Sequence, residues 1–318
     1  MYKRGLLLIE WEGIMKIGLV LSGGGGKGAY ELGVWNALRE LDLDKYVKVI
    51  SGTSIGAFNA VLFAQDDQEK EIGLWDEVTM DKLIPLTKFQ LIRKGVGLAI
   101  GSRAMNFTKK YMKNRWDSVK SAPKDGVMNM INKYLDIDKM KESGRICYAA
   151  CTELPNFTPK YFKLNDYSSE DAKDIIMASA TLPIIYKSTS VENKKYFDGG
   201  IADNTPIQPV YGEGCDVIIV VLLSNDEEID RSLYPNTKII QIAPRINSEG
   251  MIKGTLNLDT DAKRKRIKHG YDDAMELLEP IFFIAKKAYL LEFEEKHPKI
   301  VKLVKFIDKF KNKNKKVS

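Results

Sequence analysis

Apolar residues along the chain fall into two alternating patterns. Short, nearly continuous apolar runs occupy residues 16–21, 47–51, 146–151, 160–164, 195–198, 217–222 and 238–243. Runs of this length, rich in Val and Ile or aromatic residues, are the pattern of buried strands. Between many of them apolar residues recur at helical spacing, as in residues 29–41 and 57–64. The alternation predicts an α/β fold: a three-layer sandwich with a mainly parallel central sheet and helices on both faces. Open sheets of that kind bind ligands outside the carboxyl ends of their strands, so the loops after the first two runs are where chemistry is expected.

Two stretches depart from the alternation. Residues 72–134 bring Trp75, Met80, Phe89, Met105, Phe107, Tyr111, Met112, Trp116, Met128 and Met130 among lysines, with Gly95, Gly97 and Gly101 interrupting them. A helical insertion is expected. Its apolar residues either pack on the core or wall a pocket, because methionine and aromatic surfaces adapt to flexible chains. The second stretch is the end of the chain. Residues 286–318 hold 11 lysines against four acids, a net of +7, whereas the whole chain is +6. Ile300, Val301, Leu303, Val304, Phe306, Ile307 and Phe310 give an apolar face at helical spacing, with Lys302, Lys305 and Lys309 beside it. This basic amphipathic helix can dock on its own domain, or make peripheral contact with an anionic membrane. Residues 311–316 are expected to be disordered. The chain thus divides into an N-terminal extension (1–15), an α/β domain (16–285) and a basic tail (286–318).

Three motifs carry candidate chemistry. Gly52-Thr53-Ser54-Ile55-Gly56 follows an apolar run and precedes a helical pattern. A G-x-S-x-G in that context is a nucleophile elbow, which lifts a serine hydroxyl clear of the sheet. Ser22-Gly23-Gly24-Gly25-Gly26-Lys27-Gly28 also lies between a strand-like run and a helical one. Its glycine amides at a helix N-terminus suit negative charge, and make an oxyanion hole of Gly23, Gly24, Gly25 and Gly26, with Lys27 and Gly28 completing the motif. One such donor contributes about 3 kcal/mol to transition-state stabilisation in acyl transfer. The chain has only two histidines, His269 and His297, both in lysine-rich sequence. Asp198, followed by Gly199 and Gly200, is therefore the candidate base, with partial burial raising its pKa toward that task. Ser54, Asp198 and His269 do follow the chain order of a Ser-Asp-His triad, so that arrangement stays open, as does a non-catalytic lipid-binding scaffold.

Other chemistries fit less well. Gly23, Gly25 and Gly28 satisfy G-x-G-x-x-G, but the next strand ends in Ser51-Gly52-Thr53-Ser54 without the acidic residue a dinucleotide site wants. Lys27 is followed by Gly28 and Ala29, so the order of a Walker A loop is missing. No spacing of His, Cys and carboxylates suggests a metal. The basic run Lys263-Arg264-Lys265-Arg266 is flanked by Asp259, Asp261, Asp272 and Asp273, and reads as a mixed-charge helix without nucleic-acid contact. Three cysteines form no disulfide framework, which makes a reduced, cytoplasmic compartment the expectation. Residues 1–14 have the polarity of a signal peptide, but Glu10 and Glu12 cut the apolar run short; a leader, an upstream start or a loose extension all fit.

The three motifs in this order resemble the patatin-like phospholipase family. Residues 23–28 match its glycine-rich motif, 52–56 its serine elbow and 198–200 its Asp-Gly-Gly. Residues 146–154 (ICYAACTEL) and 178–183 (ASATLP) are similar to stretches that precede the family's aspartate. The resemblance spans residues 16–209. It implies a Ser54–Asp198 dyad hydrolysing lipid acyl esters, with neither metal nor organic cofactor.

Overall fold

A computed structural model of the protein describes residues 15–83, 123–183, 185–225, 227–245 and 251–296. All seven apolar runs form strands of a single eight-stranded sheet. In chain order the elements are β1 (Ile17–Leu21), α1 (Ala29–Glu40), β2 (Val47–Thr53), α2 (Ile55–Ala64), α3 (Gln68–Glu77), α4 (Met80–Leu83), α5 (Asp125–Tyr134), α6 (Ile137–Glu142), β3 (Ile146–Glu153), β4 (Thr158–Lys163), α7 (Ser169–Ser179), β5 (Thr189–Val191), β6 (Lys194–Asp198), α8 (Ile207–Gly212), β7 (Val217–Val221), β8 (Lys238–Ile242), α9 (Met251–Leu256) and α10 (Thr260–Lys296). Strand β5 is the one strand without an apolar run to announce it; three residues are too few to carry a pattern.

The sheet order is β5-β6-β3-β2-β1-β7-β8, with β4 also on β3. Strands β3, β2, β1, β7 and β8 are mutually parallel, while β4, β5 and β6 add antiparallel pairings at one side. Strands β1, β2 and β7 are buried on both faces along nearly all their length, which explains their unbroken apolar runs. Val20, Val49, Ile218 and Val220 pack against Ile207 and Val210 of α8 on one face. The alternate residues of the same strands turn to the other face, where Cys147 Sγ reaches the Ala60 carbonyl of α2. Those are the three layers expected. All three cysteines are buried free thiols.

One pairing positions the site. Strand β3 pairs with β4 along Tyr148–Glu153, so its other edge must serve both remaining partners. Over Ile146 to Ala150 that edge pairs with β2, ending at Thr53 opposite Ala150. From Cys151 to Glu153 it pairs with β6, beginning at Asp198 opposite Cys151. The ends of β2 and β6 therefore meet on consecutive residues of β3.

Helices α3, α4 and α5 form the two ends of the expected insertion; its middle, residues 84–122, lies outside the described residues, as do residues 1–14 and the basic stretch 300–316. The chain divides into two compact units, residues 1–274 and 275–318. In the second, helix α10 continues to Lys296. No helix among the described residues is long and apolar enough to cross a membrane.

Candidate active site

Ser54 sits at the turn from β2 into α2 with φ 56° and ψ −119°. A non-glycine residue in the left-handed half of the map is strained, and persists because its surroundings fix it. The flanking glycines are needed for space. A Cβ on Gly52 would come within 2.1 Å of the Gly56 backbone, and one on Gly56 within 2.3 Å of the Leu21 carbonyl. The Ser54 N–H donates to Ser179 Oγ at 2.9 Å, and Ser179 in turn donates to the Ala150 carbonyl at 2.6 Å.

Asp198 arrives from β6 at the same place. Its N–H donates to the Thr181 carbonyl at 2.9 Å, so the end of α7 and the turn after it fix the backbones of Ser54 and Asp198. The Gly200 N–H donates to Asp198 Oδ1 at 2.8 Å, while Oδ2 is buried without a hydrogen bond of conventional geometry among the described residues. Burial pushes the carboxyl up to about 6, against the opposing pull of the Ser54 hydroxyl and the Gly200 amide. The Ser54 hydroxyl is thus a neighbour of the carboxyl. Gly199 must be small because a Cβ there would meet the Ala150 carbonyl at 2.3 Å.

The glycine-rich loop forms a 3-10 helix, Gly25–Gly28, that leads into α1. The Gly23 amide donates to the Asn204 carbonyl at 3.1 Å, so it is already engaged. The amides of Gly24, Gly25 and Gly26 find no carbonyl partner among the described residues. Gly25 has φ +55°, and a side chain there would also strike the Thr255 carbonyl. The loop is held by its carbonyls. Arg266 Nη1 donates to Gly26 O at 2.9 Å and to Asn257 O at 2.6 Å, and Asn59 Nδ2 donates to Gly28 O at 3.0 Å. Asn59 also donates to Glu31 and accepts the Trp75 indole N–H, and burial raises the Glu31 pKa well above the carboxylate range.

Ser54, Asp198, Gly200 and Gly23 to Lys27 line one cavity of about 210 Å³. Its remaining wall is mostly apolar, including Phe58, Trp75, Met80, Met130 and Tyr186. Trp75, Met80 and Met130 come from the described ends of the insertion, and Trp75 is also a fully buried core residue, so packing and lining coincide. His269 is on α10 and does not line this cavity. Among the described residues no group of His, Cys, Asp and Glu could hold a metal ion.

The basic run 263–266 has a structural use. Lys263 is buried and donates to the Val78 carbonyl at 2.7 Å, capping α3, while Arg266 clamps the glycine loop. Neither is a free surface charge. Sequence reasoning also missed Ser179, Thr181 and Asn204. Ser179 and Thr181 lie in the ASATLP stretch, which drew notice as a resemblance without a role.

The parts brought together are a strained serine hydroxyl, a buried carboxyl with one open oxygen, and backbone amides beside an apolar cavity. That set can transfer a proton from the hydroxyl, stabilise an oxyanion and accommodate a hydrocarbon chain.

The family model described as Patatin-like phospholipase matches residues 19–211. A protein named lysophospholipase nte1 from Aspergillus terreus is 26% identical over 205 residues, covering 64% of this chain and 12% of that protein. The Escherichia coli K12 protein YjjU, named as uncharacterized, is 24% identical over 209 residues, covering 65% of this chain and 51% of its own length. The chain thus spans about an eighth to a half of the relatives it matches. Among solved structures, VipD from Legionella pneumophila superposes with a TM-score of 0.50 at 16% identity, over 84% of this chain and 67% of that one, a likeness of fold.

Proposed function

Since the chain belongs to the patatin-like phospholipase family, we propose that it hydrolyses fatty-acyl esters of lipids through a Ser54–Asp198 dyad. The observation that carries this reading is the buried, open Oδ2 of Asp198, raised to about 6 and close enough to the Ser54 hydroxyl to feel it. A carboxyl in that range accepts a proton at neutral pH, and returns it readily.

The Ser54 hydroxyl transfers its proton to Asp198 as Oγ attacks the ester carbonyl carbon. The carbonyl oxygen becomes negative and is held by amides of Gly24, Gly25 and Gly26. As the C–O bond breaks, Asp198 returns the proton to the departing alcohol, leaving Ser54 acylated. Water then gives a proton to Asp198 and attacks the acyl carbon; the fatty acid leaves as Ser54 recovers its proton. The apolar wall of Phe58, Trp75 and Met130 suits the acyl chain. The net +7 of residues 286–318 supports peripheral contact with an anionic membrane, and three buried thiols suit a reduced, cytoplasmic setting.

A fluorophosphonate probe tests the assignment. It should label the wild type and fail on Ser54→Ala; equal labelling of both would remove Ser54 as nucleophile. Tight liposome binding by a protein that turns over no lipid or p-nitrophenyl ester would favour a lipid-binding scaffold instead.

A further inference from the structure

The cavity that holds Ser54 has a second carboxylate in its wall. Glu227 lies beyond the end of β7. Strands β2, β1 and β7 are consecutive in the sheet, so the end of β7 is two strand spacings, about 10 Å, from the strand that carries Ser54. The glycine loop lies between them, at the end of β1. Glu227 Oε1 accepts from Asn204 Nδ2 at 3.1 Å, and Oε2 accepts from Thr205 Oγ1 at 2.8 Å. Asn204 also donates to the Gly23 carbonyl at 3.3 Å, which ties the carboxylate to the lip of the loop.

Both donors to Glu227 are neutral. No Lys, Arg or His among the described residues forms an ion pair with it, although it is half-buried and faces a cavity. Two neutral side chains are thus its hydrogen-bond donors. When a lipid enters, its acyl chain takes the apolar wall formed by Phe58, Trp75 and Met130, and its headgroup lies on the other side of the scissile ester. Water around Glu227 is then displaced, and a half-desolvated carboxylate needs a replacement partner. A headgroup ammonium supplies one, whereas a net anionic headgroup adds like-charge repulsion.

We propose that Glu227 determines headgroup specificity, selecting acyl lipids whose headgroup carries an ammonium over those whose headgroup is only anionic. Glu227 can act this way only if the cavity is the acyl-hydrolase site proposed above.

The test uses the full chain and two lysophospholipids of the same acyl chain, with phosphoethanolamine and phosphoglycerol headgroups, in neutral detergent micelles so that the lysine-rich tail does not bias delivery. A soluble p-nitrophenyl butyrate assay runs beside them. The wild type should favour the ammonium lipid about tenfold in kcat/KM, the effect of one half-buried charge pair. In Glu227→Gln, which keeps a side-chain acceptor for Asn204, the ratio should fall to within about twofold of one, and in Glu227→Lys it should invert. Taking the ratio within each protein cancels any loss through Asn204 that both lipids share. An equal ratio in wild type and Glu227→Gln, or a wild-type ratio of one or less, overturns the proposal. Soluble-ester turnover with neither lipid attacked also counts against Glu227 alone, whereas no turnover of any ester removes the hydrolase reading itself.

Discussion

Ser179 Oγ accepts the Ser54 N–H at 2.9 Å while donating to the Ala150 carbonyl at 2.6 Å, so one hydroxyl at the end of α7 ties the elbow to strand β3. The Ser54 carbonyl is held separately, accepting from the Ala57 and Phe58 N–H groups. Ser179→Ala leaves a half-buried N–H without its acceptor, which costs about 1 kcal/mol. A looser elbow should lower kcat about tenfold with little change in KM, because the hydroxyl is misplaced and the apolar wall is untouched. Kinetics and thermal unfolding of the variant check both effects. A normal kcat beside a lowered melting temperature would make Ser179 a packing residue only.

The Asp198 carboxyl, raised from 3.8 to about 6, predicts both activity and stability against pH. Turnover requires the ionised form, so kcat/KM on a soluble ester should rise through an apparent pKa near 6 and fall away below it. Asp198→Asn should abolish turnover, while His269→Ala should be tolerated because His269 does not line the cavity. The reverse result would restore the Ser-Asp-His triad.

Stability moves oppositely. A raised carboxyl pKa means that the folded state holds the proton more tightly than the unfolded state, so ionised Asp198 costs the wild type up to about 3 kcal/mol above pH 6. The neutral amide of Asp198→Asn escapes that cost. Its melting temperature relative to wild type should therefore be highest above pH 6, and the advantage should shrink as pH falls toward 4. Denaturation scans of both proteins from pH 4 to 8 measure it; an advantage that does not vary with pH would contradict the burial of the charge.

Residues 300–318 should matter for surfaces and not for chemistry. Eleven lysines in residues 286–318 attract anionic lipid over a screening length of about 8 Å at physiological ionic strength. Removing residues 300–318 should reduce turnover on anionic liposomes, most strongly at low salt, and leave a soluble short-chain ester unaffected. Equal loss on both substrates with a lowered melting temperature would mark the segment as part of the fold.

How much of this was legible in the sequence differs by residue. Ser54, Asp198 and the glycine run stand out because each occupies a turn whose geometry restricts residue type. The long parallel strands show as unbroken apolar runs because both their faces are covered. Thr189–Val191 does not, since a three-residue edge strand needs no such run. Ser179 and Asn204 reach Ser54 and Gly23, residues more than 100 positions away, through hydrogen bonds, and nothing local distinguishes them from other polar residues. Arg266 was hidden differently. It stands in a basic run that reads as a solvated helix face, and only the crossing of α10 over the glycine loop turns its guanidinium inward. Gly23 belongs to the motif, but its amide is engaged by Asn204, so the motif alone does not say which glycines keep a free donor.

The shared edge of β3 has a consequence for how this chain can vary. Thr53 and Asp198 lie 145 positions apart in sequence, yet they sit opposite neighbouring residues, Ala150 and Cys151. Their spacing is set by one peptide unit of β3, and not by the chain that connects them. Loops and helices between Ala57 and Ile146 can therefore lengthen or shorten at the surface without disturbing the alignment. A single residue inserted between Ala150 and Cys151 would shift one carboxyl against one hydroxyl by a whole strand step. In this fold a large insertion can be tolerated where a very small one cannot.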